Sequence, residues 1–236
     1  MLRSELQPAF VLHHRPYSES SLLLELFTRD HGRVGAIAKG ARRKGGQRAI
    51  LQPFHSLLVS LQGRGELATL TAVETVEEGP LCSPRHYPVG FYLNELVLRL
   101  THRHDPHPQL FQSLANTYKE ITSSVEPALR RFERDLLEAV GYGLTLDHCV
   151  DSGLAIEADG DYRYQLRHGP VVAAPGVDGI PVRGASLLAL AGAGEFDPQS
   201  LRELKRLMRG LLACHLGDRP LRARELFRAQ CDILPK

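Results

Sequence analysis

Short apolar runs separated by turn residues fill the N-terminal part of the chain: AFVLHH, SLLLELFT, RVGAIAK, FHSLLVSL and ELATLTAV, all between Pro8 and Val76. Runs of this length, bounded by glycine, proline and charged residues, predict five β-strands. Arg29-Asp30-His31-Gly32 and Gln62-Gly63-Arg64-Gly65 are short glycine-bearing connections suited to hairpins. The third and fourth strands are instead separated by GARRKGGQRAILQP. Five strands with one long excursion after the third predict a small closed barrel of the oligonucleotide-binding (OB) type, with an SH3-like barrel as the alternative. In OB barrels the face of strands 2 and 3 commonly holds nucleic acid.

Past Pro80 the apolar period lengthens. Phe91, Leu93, Leu96, Val97 and Leu100 recur at helical spacing, as do Leu110, Phe111, Leu114 and Ile121. A third helix is predicted from near Pro127, burying Leu129, Phe132, Leu136, Leu137 and Val140, exposing Arg130, Arg131 and Arg134, and stopping at Gly141-Tyr142-Gly143. From about Leu146 to Pro181 the period is lost and turn signals such as Asp159-Gly160 appear, predicting a small irregular insert. Helix returns at Ala185 to Leu190 and at Pro198 to His215, where Asp197 is a suitable N-cap and Gly217 a suitable stop. The expected class is α+β. Residues 1–80 form an OB barrel, and residues 81–236 form a mainly helical domain with the insert at 146–181.

Composition supports a globular protein, with 43% hydrophobic and 24% charged residues in a chain of 236. The N-terminus has no uninterrupted apolar segment of the signal-peptide kind, and nowhere do roughly eighteen apolar residues run together. A cytoplasmic protein without membrane contact is expected. Cys82, Cys149, Cys214 and Cys231 are scattered and read as reduced thiols, with Cys214 expected to pack on the apolar stripe of its helix.

The net charge of +2 conceals a strongly polarised stretch. Arg29, Arg33, Lys39, Arg42, Arg43, Lys44 and Arg48 are opposed only by Asp30. Such a run is often just solvated. Here it follows the third strand of an OB-type barrel, where glycines let a loop track a phosphate backbone. Arg33, Lys39, Arg42, Arg43, Lys44 and Arg48 are therefore candidate nucleic-acid contacts. Lys205, Arg206, Arg222, Arg224 and Arg228 are a second, C-terminal set. Gly40 and Gly45 carry the glycine spacing of a phosphate-binding P-loop, but Gly46 and Gln47 stand where lysine and a hydroxyl residue are required, which excludes that chemistry. No nucleophile motif is present. His102, His104 and His107 read as helix-end residues facing water rather than metal ligands. The expectation is no catalytic residue, no cofactor and no metal. A metal-dependent hydrolase and an RNA-binding barrel protein are the competing readings.

Along nearly its whole length the chain resembles the bacterial RecO family of recombination and DNA-repair mediators. The resemblance is carried by AFVLHHRPYSESSLLLELFT, GRVGAIAKGAR, LQPF, the GRGE turn, YLNEL, EPALRRFE and PLRARELFR, in that order. It implies binding of single- and double-stranded DNA, annealing of complementary strands, and cooperation with RecR to load RecA onto DNA coated by single-strand-binding protein, on the bacterial nucleoid. It also implies a contact with the acidic C-terminal tail of single-strand-binding protein, for which Arg130 and Arg131 are the candidates. Zinc-bearing members of the family carry two CxxC pairs in the insert. This chain keeps Cys149 alone, with Ser152 in the second position and no cysteine between His168 and Ala173, so the insert is expected to fold without metal.

Overall fold

A computed structural model describes residues 2–63, 65–77, 79–217, 219–223 and 226, with backbone alone for residues 2–4. The chain divides into two compact units, the first running to Ser123 and resuming at Leu221, the second spanning Ser124–Pro220. The strand-to-helix change predicted near residue 80 is therefore followed by two further helices within the first unit.

In the first unit β1 (Leu2–Tyr17), β2 (Ser21–Thr28), β3 (Gly32–Ala38), β4 (Leu57–Gly63) and β5 (Leu67–Thr75) close a barrel in the order β1-β2-β3-β5-β4. The closing β3–β5 pair is parallel, with Gly35 opposite Leu67 and Ile37 opposite Thr69, and the other pairs are antiparallel. This is the connectivity of an OB barrel. Its interior is filled by alternate residues of every strand, among them Val11, Leu24, Val34, Ala36, Val59 and Leu70. β1 extends well beyond the predicted run, because its two ends serve different neighbours. Residues up to Ala9 pair with β4, those from Ala9 to Tyr17 pair with β2, and a register shift between Val11 and His13 lets the strand coil round the barrel.

Helices α1 (Tyr87–Leu100) and α2 (Pro108–Glu120) belong to this unit. Phe10 faces out of the barrel and stacks on Phe111 at 4.8 Å between ring centroids, while Tyr118 meets it edge-on at 5.4 Å. The Tyr118 hydroxyl donates to Asn94 Oδ1, and Asn94 Nδ2 donates to the Leu12 carbonyl at 3.1 Å, so the polar groups of this buried layer are matched.

The second unit contains α3 (Val125–Ala139), a three-stranded sheet of β6 (Asp161–Gln165), β7 (Gly169–Val172) and β8 (Ile180–Arg183) in the order β7-β6-β8, then α4 (Gly184–Ala191) and α5 (Pro198–Leu216). The stretch predicted to be irregular thus holds a small ordered antiparallel sheet. Asp197 caps α5 as predicted, accepting from the Ser200 amide at 2.6 Å. No helix among the described residues is long and apolar enough to cross a membrane.

Candidate nucleic-acid interface

The loop after β3 is a folded turn. Ala41 is buried with the barrel core and pins the loop's start. The Arg42 amide donates to the Ser20 carbonyl at 2.9 Å and the Arg48 amide to the Ala41 carbonyl at 3.0 Å. Gly46 passes so close to the chain that a Cβ there would lie 2.6 Å from the Ala41 carbonyl oxygen, and Gly40 and Gly45 take positive φ angles of 70° and 75°. Upon this scaffold Lys39, Arg42, Arg43, Lys44 and Arg48 are all exposed. Among the described residues no carboxylate pairs with any of them. Arg42 also braces the β1–β2 turn, its guanidinium donating to the Ser18 carbonyl at 3.2 Å, at a residue whose own φ of 51° is strained for a non-glycine.

Arg33 does not join this group. Its half-buried guanidinium donates to the Leu98 carbonyl in the last turn of α1, and burial lowers its pKa. There it acts as a helix-end cation, which favours the negative pole of the peptide dipoles. The same segment covers part of the β2–β3 face. The His104 amide donates to the Arg33 carbonyl at 3.0 Å, Arg103 pairs with Glu25, and a Cβ at Gly32 would lie 1.9 Å from the Asp105 carbonyl oxygen. The β2–β3 face, which commonly holds nucleic acid in OB barrels, is thus closed at its Gly32 end. His107, expected to face water, is partly buried and lies 3.3 Å from Asp105.

Toward the basic loop the outer face is uncovered. Beyond the β1 bulge His14 pairs with the inward Leu24, so Arg15 and Tyr17 alternate outward. Arg15 lies opposite Leu23, Leu23 opposite Ile37, and Ile37 opposite Thr69, forming one outward row across four strands, with exposed Tyr17 at its edge. These residues were not selected from the sequence, because the bulge hides the alternation of HHRPY.

The described C-terminal cations belong to different units. Lys205 is exposed but pairs with Glu126 at 2.7 Å, and Arg206 is exposed on the next position of α5. Arg222 belongs to the first unit, where the Glu95 carboxylate accepts from the Arg222 and Ala223 amides, each at 2.9 Å. Arg224 and Arg228 lie outside the described residues.

The arginine face predicted on α3 is corrected by its packing. Arg130 is 5% exposed, with its guanidinium 2.9 Å from the equally buried Glu133 one turn away. Arg134 donates to the Leu190 carbonyl at 2.6 Å, at the end of α4. Arg131 lies half-buried with its guanidinium 5.6 Å from the Phe196 ring centroid. The reason is that α3 packs against both α4 and α5, and so buries a wider arc than its leucine stripe suggests. Cys214, expected in packing, is exposed.

In the insert, the residues do not fit a tetrahedral zinc site. Cys149 is buried, His148 pairs with Asp147, and His168 Nε2 lies 3.0 Å from Asp151. Among the described residues no three His, Cys, Asp or Glu side chains converge. Backbone bonds hold the turn instead, Cys149 with Leu154 and Val150 with Pro170. Purified protein is expected to carry far less than one zinc per chain by elemental analysis and to keep its thermal transition in EDTA. Stoichiometric zinc would refute this.

Comparison with known proteins now gives the geometry its family. Residues 1–78 match the family described as "Recombination protein O N terminal" and residues 84–225 that described as "Recombination protein O C terminal". The DNA repair protein RecO of Alkalilimnicola ehrlichii is 49% identical over 225 residues, covering 94% of this chain and 90% of its own. RecO of Nitrosococcus oceani is 47% identical over 230 residues, 96% and 94% of the two chains, and that of Aliivibrio fischeri 39% over 226, 94% of each. The match spans barrel and helices alike, and the chain belongs to the RecO family of DNA repair proteins.

Proposed function

We propose that this chain is a non-catalytic recombination mediator that binds single- and double-stranded DNA, anneals complementary strands and, with RecR, helps load RecA onto DNA coated by single-strand-binding protein. The observation that carries the DNA contact is the hydrogen-bonded, glycine-shaped loop presenting Lys39, Arg42, Arg43, Lys44 and Arg48 to solvent without a described acidic partner. Cations so placed gain affinity by releasing the counterions condensed on phosphates, whatever the base sequence. Residues 1–80 supply this surface, and residues 81–236 receive protein partners in the cytoplasm, on the nucleoid. Arg33 supports the surface from below as a helix cap. Arg206 and Arg222 offer exposed supplementary contacts, and Lys205 does so at the expense of its pair with Glu126. The acidic tail of single-strand-binding protein is assigned to Arg131, with Arg130 holding the helix beneath it.

Strand annealing in the presence of single-strand-binding protein tests the reading. Annealing should persist in EDTA, weaken steeply with salt, and be lost when Arg42, Arg43 and Lys44 are together changed to alanine. Loss of activity in EDTA would favour metal-dependent chemistry, and unchanged annealing by the triple variant would remove the loop from the mechanism. Competition between DNA and RNA oligonucleotides separates a DNA mediator from an RNA-binding barrel.

A further inference from the structure

We infer that Tyr17 is a base-stacking residue which lets the barrel favour single-stranded over double-stranded DNA, an inference that rests on the loop reading and sharpens it. Tyr17 is a large aromatic side chain left 44% exposed, at the last position of β1. It stands directly opposite Ser21, so no bulky neighbour faces it across the pair. The following residue, Ser18, accepts from the Arg42 guanidinium, and Ser20 accepts from the Arg42 amide. The ring is therefore carried by the same turn that the basic loop braces. A backbone held by Arg42, Arg43 and Lys44 would bring its bases within reach of this ring.

The surface beside it suits an unpaired strand. Leu23 and Ile37 are half-buried and outward, Arg15 and Lys39 are exposed around them, and Glu25, the carboxylate in the next outward row, is paired with Arg103. The patch thus offers apolar and aromatic surface to base faces and positive charge to phosphates, and its Glu25 carboxylate is already paired. A duplex hides its base faces within its own stack, so it can use the cations but not the ring. Aromatic stacking adds roughly 1–3 kcal/mol per base, which converts to a preference of about five- to 150-fold.

The chain contains no tryptophan, so Tyr17→Trp installs a single indole reporter. Its emission should be quenched when the full-length variant is saturated with oligo(dT) and unchanged when it is saturated with a blunt duplex. In equilibrium titrations Tyr17→Ala should lose about tenfold affinity for oligo(dT) with little change for the duplex, and Tyr17→Phe should keep the parent's values. Unquenched indole emission at saturating oligo(dT), or equal loss for both DNA forms in Tyr17→Ala, would overturn the assignment. The Arg42, Arg43 and Lys44 triple variant separates the two readings. It should weaken both DNA forms together. If it leaves both unchanged, the loop reading fails. If it weakens both while Tyr17→Ala changes neither, only the stacking inference fails.

Discussion

Changing Arg42, Arg43 and Lys44 together to alanine should lower affinity for a short oligodeoxynucleotide by roughly 100- to 500-fold at about 0.1 M salt. The magnitude follows from counterion release. Each phosphate contact contributes a slope of about −0.7 to −0.9 in log K against log salt, so three contacts contribute roughly −2 to −2.7. Relative to a ~1 M reference, where this contribution vanishes, that is about 100- to 500-fold at ~0.1 M. The salt slope itself should flatten by the same amount, a second readout that loss of folding would not imitate. The side chains are exposed and without described acidic partners, and the one bond given up, from Arg42 to the Ser18 carbonyl, lies in the β1–β2 turn, so their removal should leave the barrel intact by circular dichroism. A parent-like slope in the variant would show that the phosphates lie elsewhere.

Arg130→Ala has a different expected result, a loss of folding stability of roughly 3–5 kcal/mol. It takes away the guanidinium that lies 2.9 Å from the carboxylate of Glu133, at a site where Arg130 is 5% and Glu133 1% exposed. The carboxylate then stays buried without the Arg130 guanidinium, and breaking one side of a buried pair is more costly than the pair itself is worth. Arg130→Met combined with Glu133→Leu, which removes both charges and keeps the volume, should recover most of the loss. Urea unfolding of the three proteins reads both effects. An unmoved transition in Arg130→Ala would show that the pair is solvated. The same result bears on the tail contact: weakened peptide binding in Arg130→Ala would report a softened helix, whereas Arg131→Ala would report the contact.

The barrel was legible in the sequence because each of its strands carries an apolar run closed by turn residues, and the excursion after β3 was marked by glycines and charge. The ends of α5 were legible as well, since Asp197 and Gly217 have local side-chain and backbone reasons to stand there. The outer face was harder. The bulge between Val11 and His13 shifts the inside-outside alternation by one position, so Arg15 and Tyr17 cannot be placed on the Leu23–Ile37 row by counting along the chain. Arg33, Arg130 and Arg134 show the limit of reading charge as exposure. Arg33 and Arg134 each donate to the carbonyl of a helix distant in sequence, which one-dimensional spacing does not reveal, and Arg130 pairs with Glu133 of its own helix but is buried because α3 packs against α4 and α5.

The carboxylate of Glu95, holding the amides of Arg222 and Ala223, has a consequence for the order of events during synthesis. The first unit is interrupted by the second, so the ribosome releases all of Ser124–Pro220 before it releases the segment that docks on α1. The barrel can close early, from strands near one another in sequence, but the seat on Glu95 stays empty until the second unit has been made. Because domains tend to fold as they emerge, this contact of the first unit then closes a long loop whose interior is already folded.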